Sequence, residues 1–323
     1  WQRETSRVKR KPYALSSPGD DPYLAPYRET IRHRQELAHN AERRLTGDTM
    51  SLCDFASGHE YFGLRRLEGG WTFREWAPNA TAIHLVGSFS DWRESDDYEL
   101  ERIDDRGVWH IQLPPDALRH GDLFRLRMHW KGGSGDRIPA YARRVVQDDR
   151  TKIFNAQVWA PADCFRWRHK RVTRDFKAPL IYETHVGMAQ EKEGVGTYDE
   201  FRRIALPRIV EAGYNTIQLM AVMEHPYYGS FGYHVSSFFA ASSRFGTPEE
   251  LKQLVDEAHG AGLTVIMDLI HSHAVNNEVE GLSRFDGTLY QYFHEGDRGR
   301  HVAWDSRCFN YSKPEVLHFL LSK

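Results

Sequence analysis

The run Asp268-Leu269-Ile270-His271-Ser272-His273 closes an apolar stretch that begins at Leu263. A carboxylate and two imidazoles at a strand end could serve acid–base chemistry, hydroxyl recognition or metal ligation. In parallel α/β barrels, the carboxyl end of the strands is where the chemistry sits. His294 and His301 follow in the next loop, so the histidines admit three readings: a zinc-type metal site, a metal-free substrate site, or polar filling of a strand terminus. Upstream, Met223 to His234 sets Tyr227, Tyr228, Phe231 and Tyr233 among glycines and polar groups. Sugars are held by this mixture, aromatic faces meeting C–H groups and polar edges meeting hydroxyls. Tyr233 reads as the ring offered to a ligand, Phe231 and Phe238 as packing within the chain.

The elements that must position these residues are legible in the spacing. Leu180 to Val186, Thr216 to Met220 and Leu263 to Asp268 are apolar runs of strand length. Between them lie helices opened by the capping boxes Thr197/Glu200 and Thr247/Glu250 and closed near Gly213 and Gly262. Pro207 is expected to restart the first helix, and Ser312-Lys313-Pro314-Glu315 opens another. Successive βα units predict a parallel sheet wound in one hand. A closed (β/α)8 barrel needs about 250 residues and eight units, so residues 180–323 predict only its first three units. From Tyr61 to Val158 the apolar period is two, broken at Gly69-Gly70, Pro78-Asn79, Asp105-Arg106-Gly107 and Gly132-Gly133. Short alternating strands with such turns predict an immunoglobulin-like β-sandwich. The expected organisation is a helical segment over residues 1–55, the sandwich over 56–162, a linker over 163–179 and the partial barrel over 180–323. The helix expected between Asp21 and Leu45 ends at Thr46-Gly47-Asp48.

Composition narrows the function class. The 323 residues hold 43 basic and 45 acidic side chains, a net charge of -2, which gives no field for a nucleic-acid partner. The one basic run, Arg7 to Lys11, reads as a solvated tail. No apolar run reaches the length of a membrane span, so no membrane partner is expected. Cys53, Cys164 and Cys308 are odd in number and far apart, fitting a reducing compartment such as the cytoplasm. A first residue of Trp1 and the arrest after three units lead to the expectation of a protein seen in part.

Asp268 to His273 resembles the first conserved region of the α-amylase superfamily, glycoside hydrolase family 13. The segments Tyr182 to Met188, Gly213 to Met220, Glu224 to Tyr228, Ser242 to Leu251, Phe285 to Thr288 and Trp304 to Arg307 resemble its α-1,4-glucan branching group more closely. Glu75 to Ala80 and Gly87 to Trp92 are similar to the family 48 carbohydrate-binding module that precedes the barrel in that group. The likeness covers nearly all of the chain beyond Asp21. It implies an α-1,4-glucan partner (glycogen, amylose or starch), no cofactor, and transfer of a chain segment to a 6-hydroxyl. It also implies roles: Tyr233 stacks on the sugar before the cleaved bond, His273 binds that sugar's primary hydroxyl, and Asp268 holds an arginine of the fourth strand. Calcium-dependent amylases have asparagine where Ser272 stands, so no metal is expected there.

Members of this superfamily retain configuration through a carboxylate nucleophile and a carboxylic acid about 5–5.5 Å apart. By the resemblance these catalytic residues end the fourth and fifth strands, so none is expected within this chain and both are expected beyond Lys323. Glu183, Glu224 and Asp268 do not occupy those positions. Three other readings stay open: a debranching enzyme of the same superfamily, a non-catalytic glucan-binding protein, and a zinc hydrolase.

Overall fold

The computed structural model describes residues 21–172 and 179–323. The basic run Arg7 to Lys11 and the end of the expected linker lie outside them. The chain divides into two compact units, Trp1–Ala56 and Ser57–Lys323. In the first, a 3₁₀ turn over Pro22–Tyr27 is capped by Asp21, whose carboxylate accepts from Tyr23 N at 2.8 Å. Helix α1 (Arg28–Thr46) follows and ends on Gly47 in the left-handed region (φ 59°), as the sequence signals. Helix α2 (Leu52–Phe55) opens on a Ser51/Asp54 capping box.

The second unit begins with α3 (Gly58–Tyr61) and the antiparallel strands β1 (Gly63–Leu67), β2 (Gly70–Trp76), β3 (Ala80–Gly87), β4 (Glu101–Arg102), β5 (Val108–Leu113), β6 (Leu123–Trp130), β7 (Gly133–Arg137), β8 (Val145–Gln147) and β9 (Phe154–Gln157). One sheet runs β1-β2-β5-β4 and the other β3-β6-β9-β8, with β7 added beside β6. Alternation decides the faces: Phe124, Leu126 and Met128 of β6 are buried in the core, while Arg125, Arg127 and His129 point the other way.

Next come β10 (Ile181–Thr184), α4 (Tyr198–Glu200), α5 (Leu206–Glu211), β11 (Thr216–Leu219), β12 (Met223–Glu224), β13 (Ser237–Ala241), α6 (Pro248–Gly260), β14 (Thr264–Met267), β15 (His273–Val275), β16 (Arg300–His301), β17 (Ser306–Cys308) and α7 (Pro314–Leu321). Both expected capping boxes are formed, at Thr197/Glu200 and Thr247/Glu250. Between α4 and α5 the backbone widens into a π-turn over Phe201–Ala205, with Leu206 N reaching Phe201 O. Pro207 has no N–H to donate, and the widened turn carries the helix past that gap.

Strands β10, β11 and β14 form a parallel sheet in that order. The π-turn and helices α5 and α6 cover one face through Phe201, Leu206, Ile209, Leu254 and Ala258, packed on Ile217 and Leu219. The sheet is not closed: among the described residues β10 and β14 pair only with β11. Ile181, Tyr182, Ile266 and Met267 are left 37–45% exposed. This is the incomplete barrel that the three βα units predicted.

The sandwich and the barrel portion share one hydrophobic core. Tyr141 stacks on Phe239 (4.5 Å) and meets Phe319 edge-on, while Trp76 meets Tyr292 at 5.2 Å. Polar stitches reinforce the junction: Asn79 N donates to Asp286 Oδ2 (3.1 Å) and Gln291 Nε2 to Trp76 O (2.6 Å). Within residues 163–172, Arg168 N and His169 N both donate to the buried Asp256 Oδ1 of α6 at 2.9 Å.

Glu75 is fully buried beside this junction, its two oxygens accepting from Trp76 N (3.0 Å) and Ala140 N (2.9 Å). Burial pushes its carboxyl up from 4.5 to about 8, against the pull of those two backbone donors. A folded-state value above the unfolded one means that folding takes up a proton between these pH values. This group's contribution to stability therefore declines as pH rises through that window. In denaturant titrations from about pH 5 to pH 8, the wild-type chain should lose stability relative to Glu75→Gln. The variant itself should cost about 1–3 kcal/mol, because an amide offers one acceptor to two buried N–H groups. Parallel stability–pH curves would contradict the assignment.

Candidate functional site

The site is built at the carboxyl ends of β11 and β14 and in the loops that follow them. Asp268 comes directly after β14, its N–H donating to Leu219 O and so continuing the parallel ladder by one step. Its carboxylate is half-buried and takes two donors: Gln218 Nε2 reaches Oδ1 at 2.9 Å and Tyr233 Oη reaches Oδ2 at 2.8 Å. Burial first, and the Asp268 carboxylate second, push the Tyr233 phenol up to about 12.

Tyr233 is delivered by the loop that follows β12. Phe231 adopts a left-handed backbone (φ 54°) and Gly232 follows at φ 88°. A Cβ on Gly232 would lie 2.0 Å from Ala221 O, so glycine is required for the turn that aims Tyr233 at Asp268. The base of the loop is tied by Glu224, which is buried and accepts from His225 N, Ser242 Oγ and Ser243 N. Burial raises the Glu224 carboxyl and lowers His225 to about 4. Both are buried in the loop base, His225 held through Nδ1 by Met223 O.

His273 is also drawn in. One ring nitrogen, Nε2, lies 3.1 Å from Tyr233 O, and the other, Nδ1, lies 2.8 Å from Ser272 Oγ. A carbonyl only accepts, so Nε2 carries the proton and Nδ1 accepts from the serine hydroxyl. Burial lowers the imidazole below its ordinary value, which keeps it neutral. The residue is 4% exposed with both nitrogens engaged, so a sugar hydroxyl would have to displace one of these partners. The three residues singled out from sequence thus form one chain, Asp268 to Tyr233 to His273.

Around this chain the rim is aromatic and open. Tyr227 is 65% exposed and Trp304 53%, the latter stacked on His301 with centroids 4.4 Å apart and 5.1 Å from His273. Phe231, expected to pack inward, is instead 43% exposed, its ring edge-on to His185 at 5.9 Å, because the left-handed backbone turns it outward. Phe238 is buried, as expected. A groove of about 330 Å³ runs beside the chain, lined by Pro226, Tyr227, His234, Val275, Asn276, Asn277 and Asp305. A larger hollow of about 520 Å³ lies on the helix side of the sheet, between Arg168, Leu206 and Gly260, away from the strand ends. Ligand sites in parallel sheets lie at the carboxyl ends of the strands, which favours the smaller groove.

Sequence reasoning raised His301 only as one of the loop histidines and passed over Gln218 and Trp304 as site residues. Gln218 was findable, being the polar residue inside an apolar strand, whereas the stacking of His301 on Trp304 depends on a loop without periodicity. Among the described residues, the ring nitrogens of His271, His273, His294 and His301 do not form a group of ligand atoms close enough to share one ion.

Two family profiles match the chain: carbohydrate-binding module 48 (isoamylase N-terminal domain) over residues 61–142 and the alpha amylase catalytic domain over residues 204–298. The 1,4-alpha-glucan-branching enzyme of Dictyostelium discoideum is 45% identical over 309 residues, covering 94% of this chain and 45% of that protein. The 1,4-alpha-glucan-branching enzyme 2-2, chloroplastic/amyloplastic, of Arabidopsis thaliana is 43% identical over 326 residues, covering 97% and 40%. Among solved structures, pullulanase from Bacillus acidopullulyticus superposes with a TM-score of 0.65 at 19% identity, over 81% of this chain and 36% of that one. At this identity it speaks for the fold alone. The chain thus spans a little under half the length of the curated relatives it matches. Over nearly its whole length the chain is similar to 1,4-alpha-glucan-branching enzymes, with a match to carbohydrate-binding module 48 ahead of a match to part of the alpha amylase catalytic domain.

Proposed function

We propose that this chain supplies the carbohydrate-binding module and the sugar-holding wall of an α-1,4-glucan branching enzyme. Such an enzyme moves a segment of an α-1,4 chain onto a 6-hydroxyl. The observation that carries the reading is the Gln218–Asp268–Tyr233 hydrogen-bond chain at the strand ends, under exposed aromatic rings. In this reading Tyr233 lays its face against the glucose unit before the cleaved bond, and Asp268 fixes the ring through its hydroxyl. The neutral His273 then exchanges its bond to the Tyr233 carbonyl or to Ser272 for one to the primary hydroxyl. The carboxylate retains lone pairs beyond the two donors it already takes, which suits the expected arginine partner. Glycogen, amylose or starch is the expected glucan, and the cytoplasm the expected compartment, in keeping with the exposed free thiols of Cys53 and Cys164. No described helix is long and apolar enough to cross a membrane.

By the resemblance, the nucleophile and the general acid are expected outside residues 1–323. Loss of a general acid alone costs about 10²–10⁴ in rate, and loss of the nucleophile removes the covalent route. A polypeptide of residues 1–323 should therefore introduce no α-1,6 linkages into amylose, as counted by proton NMR of the product. A polypeptide extended to the length of the relatives should introduce them. Branch formation by residues 1–323 alone would overturn this division of labour.

The positioning role of Asp268 has its own test. Following tyrosinate absorbance with pH, Tyr233 should ionise near pH 12 in the wild type. Asp268→Asn should lower that midpoint by removing the neighbouring negative charge, and Tyr233→Phe should delete the phase. An unchanged midpoint in Asp268→Asn would separate the two residues.

A further inference from the structure

The outer face of the second sandwich sheet carries a cluster with no link to the barrel site. Antiparallel pairing sets His84 of β3 opposite Arg127 of β6 and Ala82 opposite His129. The two imidazoles are therefore diagonal neighbours on one face, with ring centroids 6.0 Å apart. Glu94, on the loop leaving β3, reaches both: Oε1 is 3.0 Å from His129 Nε2 and Oε2 is 3.9 Å from His84 Nδ1. One ligand atom from each of the three lies within 4.8 Å of the others.

Two further observations point to a ligand. His84 is 9% exposed, and its Nδ1 is buried without a hydrogen-bond partner while facing Glu94. A buried polar atom left without a partner carries a desolvation cost that a ligand would relieve. On the far side of the same ring, Nε2 faces Glu99 Oε2 at 4.0 Å. At that distance the two do not hydrogen-bond, but a carboxylate on this side of a metal-binding imidazole is within a small side-chain shift of the hydrogen bond that orients such rings. Arg127 pairs with Asp136 through Nε and Nη2, and its Nη1 also makes an ion pair with Glu94 Oε1 at 3.5 Å, which a bound cation would share or replace.

We propose that His84, Glu94 and His129 bind one divalent transition-metal ion. Two imidazoles and one carboxylate suit zinc, with the fourth position left to water. Calcium and magnesium prefer all-oxygen shells and are disfavoured here. A tetrahedral ion with bonds of about 2.0–2.1 Å spaces its ligand atoms by roughly 3.3 Å, and closing this group from within 4.8 Å to that spacing needs only small side-chain adjustment. Bound there, the ion pins the loop between β3 and β4, in which Asp91 and Trp92 hold left-handed backbones (φ 50° and 60°), onto the sheet.

The test uses the whole chain, stripped with a chelator and titrated with zinc chloride by calorimetry, with bound metal counted by elemental analysis. The expected result is one equivalent of zinc and a rise in the thermal midpoint, since a ligand of the native state alone stabilises it. Glu94→Gln and His129→Ala should weaken binding by on the order of tenfold or more and remove the thermal rise. His271→Ala, at the barrel strand end, should leave both intact. Absence of a stoichiometric site, equal binding by the Glu94 and His129 variants, or loss of binding in His271→Ala would overturn the assignment. Should either variant fold poorly, the wild type with cobalt(II) decides. Intense visible bands of a four- or five-coordinate ion support the site, and the weak spectrum of an octahedral aquo ion refutes it.

Discussion

A carboxylate set among aromatic rings at the end of a strand must find donors, and at Asp268 it finds two. One comes from Gln218 on the neighbouring parallel strand, so the sheet register itself fixes where the carboxylate stands. The other comes from Tyr233, so the same carboxylate fixes where the loop stands. The rest of the site depends on this double use. Gly232 permits the turn that brings the phenol within reach, and the Tyr233 carbonyl then holds His273 in one tautomer. A loop rich in glycine and aromatic rings would otherwise sample many arrangements, and sugar recognition by ring stacking requires one.

The sandwich is more than an appendage to this site. Its core continues into the barrel portion through Tyr141, Phe239, Phe319 and Tyr292, with Glu75 buried at the junction. The buried carboxylates Glu75 and Asp286 find backbone donors there, Asp286 from the exposed Asn79, and the buried Gln291 donates through Nε2 to Trp76 O. The parallel sheet presents the opposite condition. Ile181 and Ile266 point to the face opposite the helices and Tyr182 and Met267 to the helix face, and all four stay 37–45% exposed on the outer strands.

Much of this was legible in the sequence because it is local. Period-two alternation located the sandwich strands, and two capping boxes located helix starts to the residue. The strand-end motif delivered Asp268 and His273, and the aromatic loop delivered Tyr233. What was not legible depends on partners distant in the chain or on backbone geometry. The π-turn before Pro207 is a response to a missing donor, visible only once the helix is built. The seam between sandwich and barrel joins residues about two hundred positions apart, such as Asn79 and Asp286, and leaves no periodic trace. Phe231 looked like a packing residue, yet its left-handed backbone turns it outward. The diagonal pair His84 and His129 needed the register of β3 on β6 before it could be seen at all.

The central claim is that the Tyr233 ring, held by Asp268, is a platform for an α-1,4-glucan. It is tested most directly by titrating maltohexaose into isotope-labelled chain while following the Tyr233 ring resonances. The account predicts saturable upfield shifts of those resonances, with signals of the sandwich available as an independent report of binding elsewhere. If the sandwich signals respond while the Tyr233 ring stays unmoved at saturation, the platform does not exist.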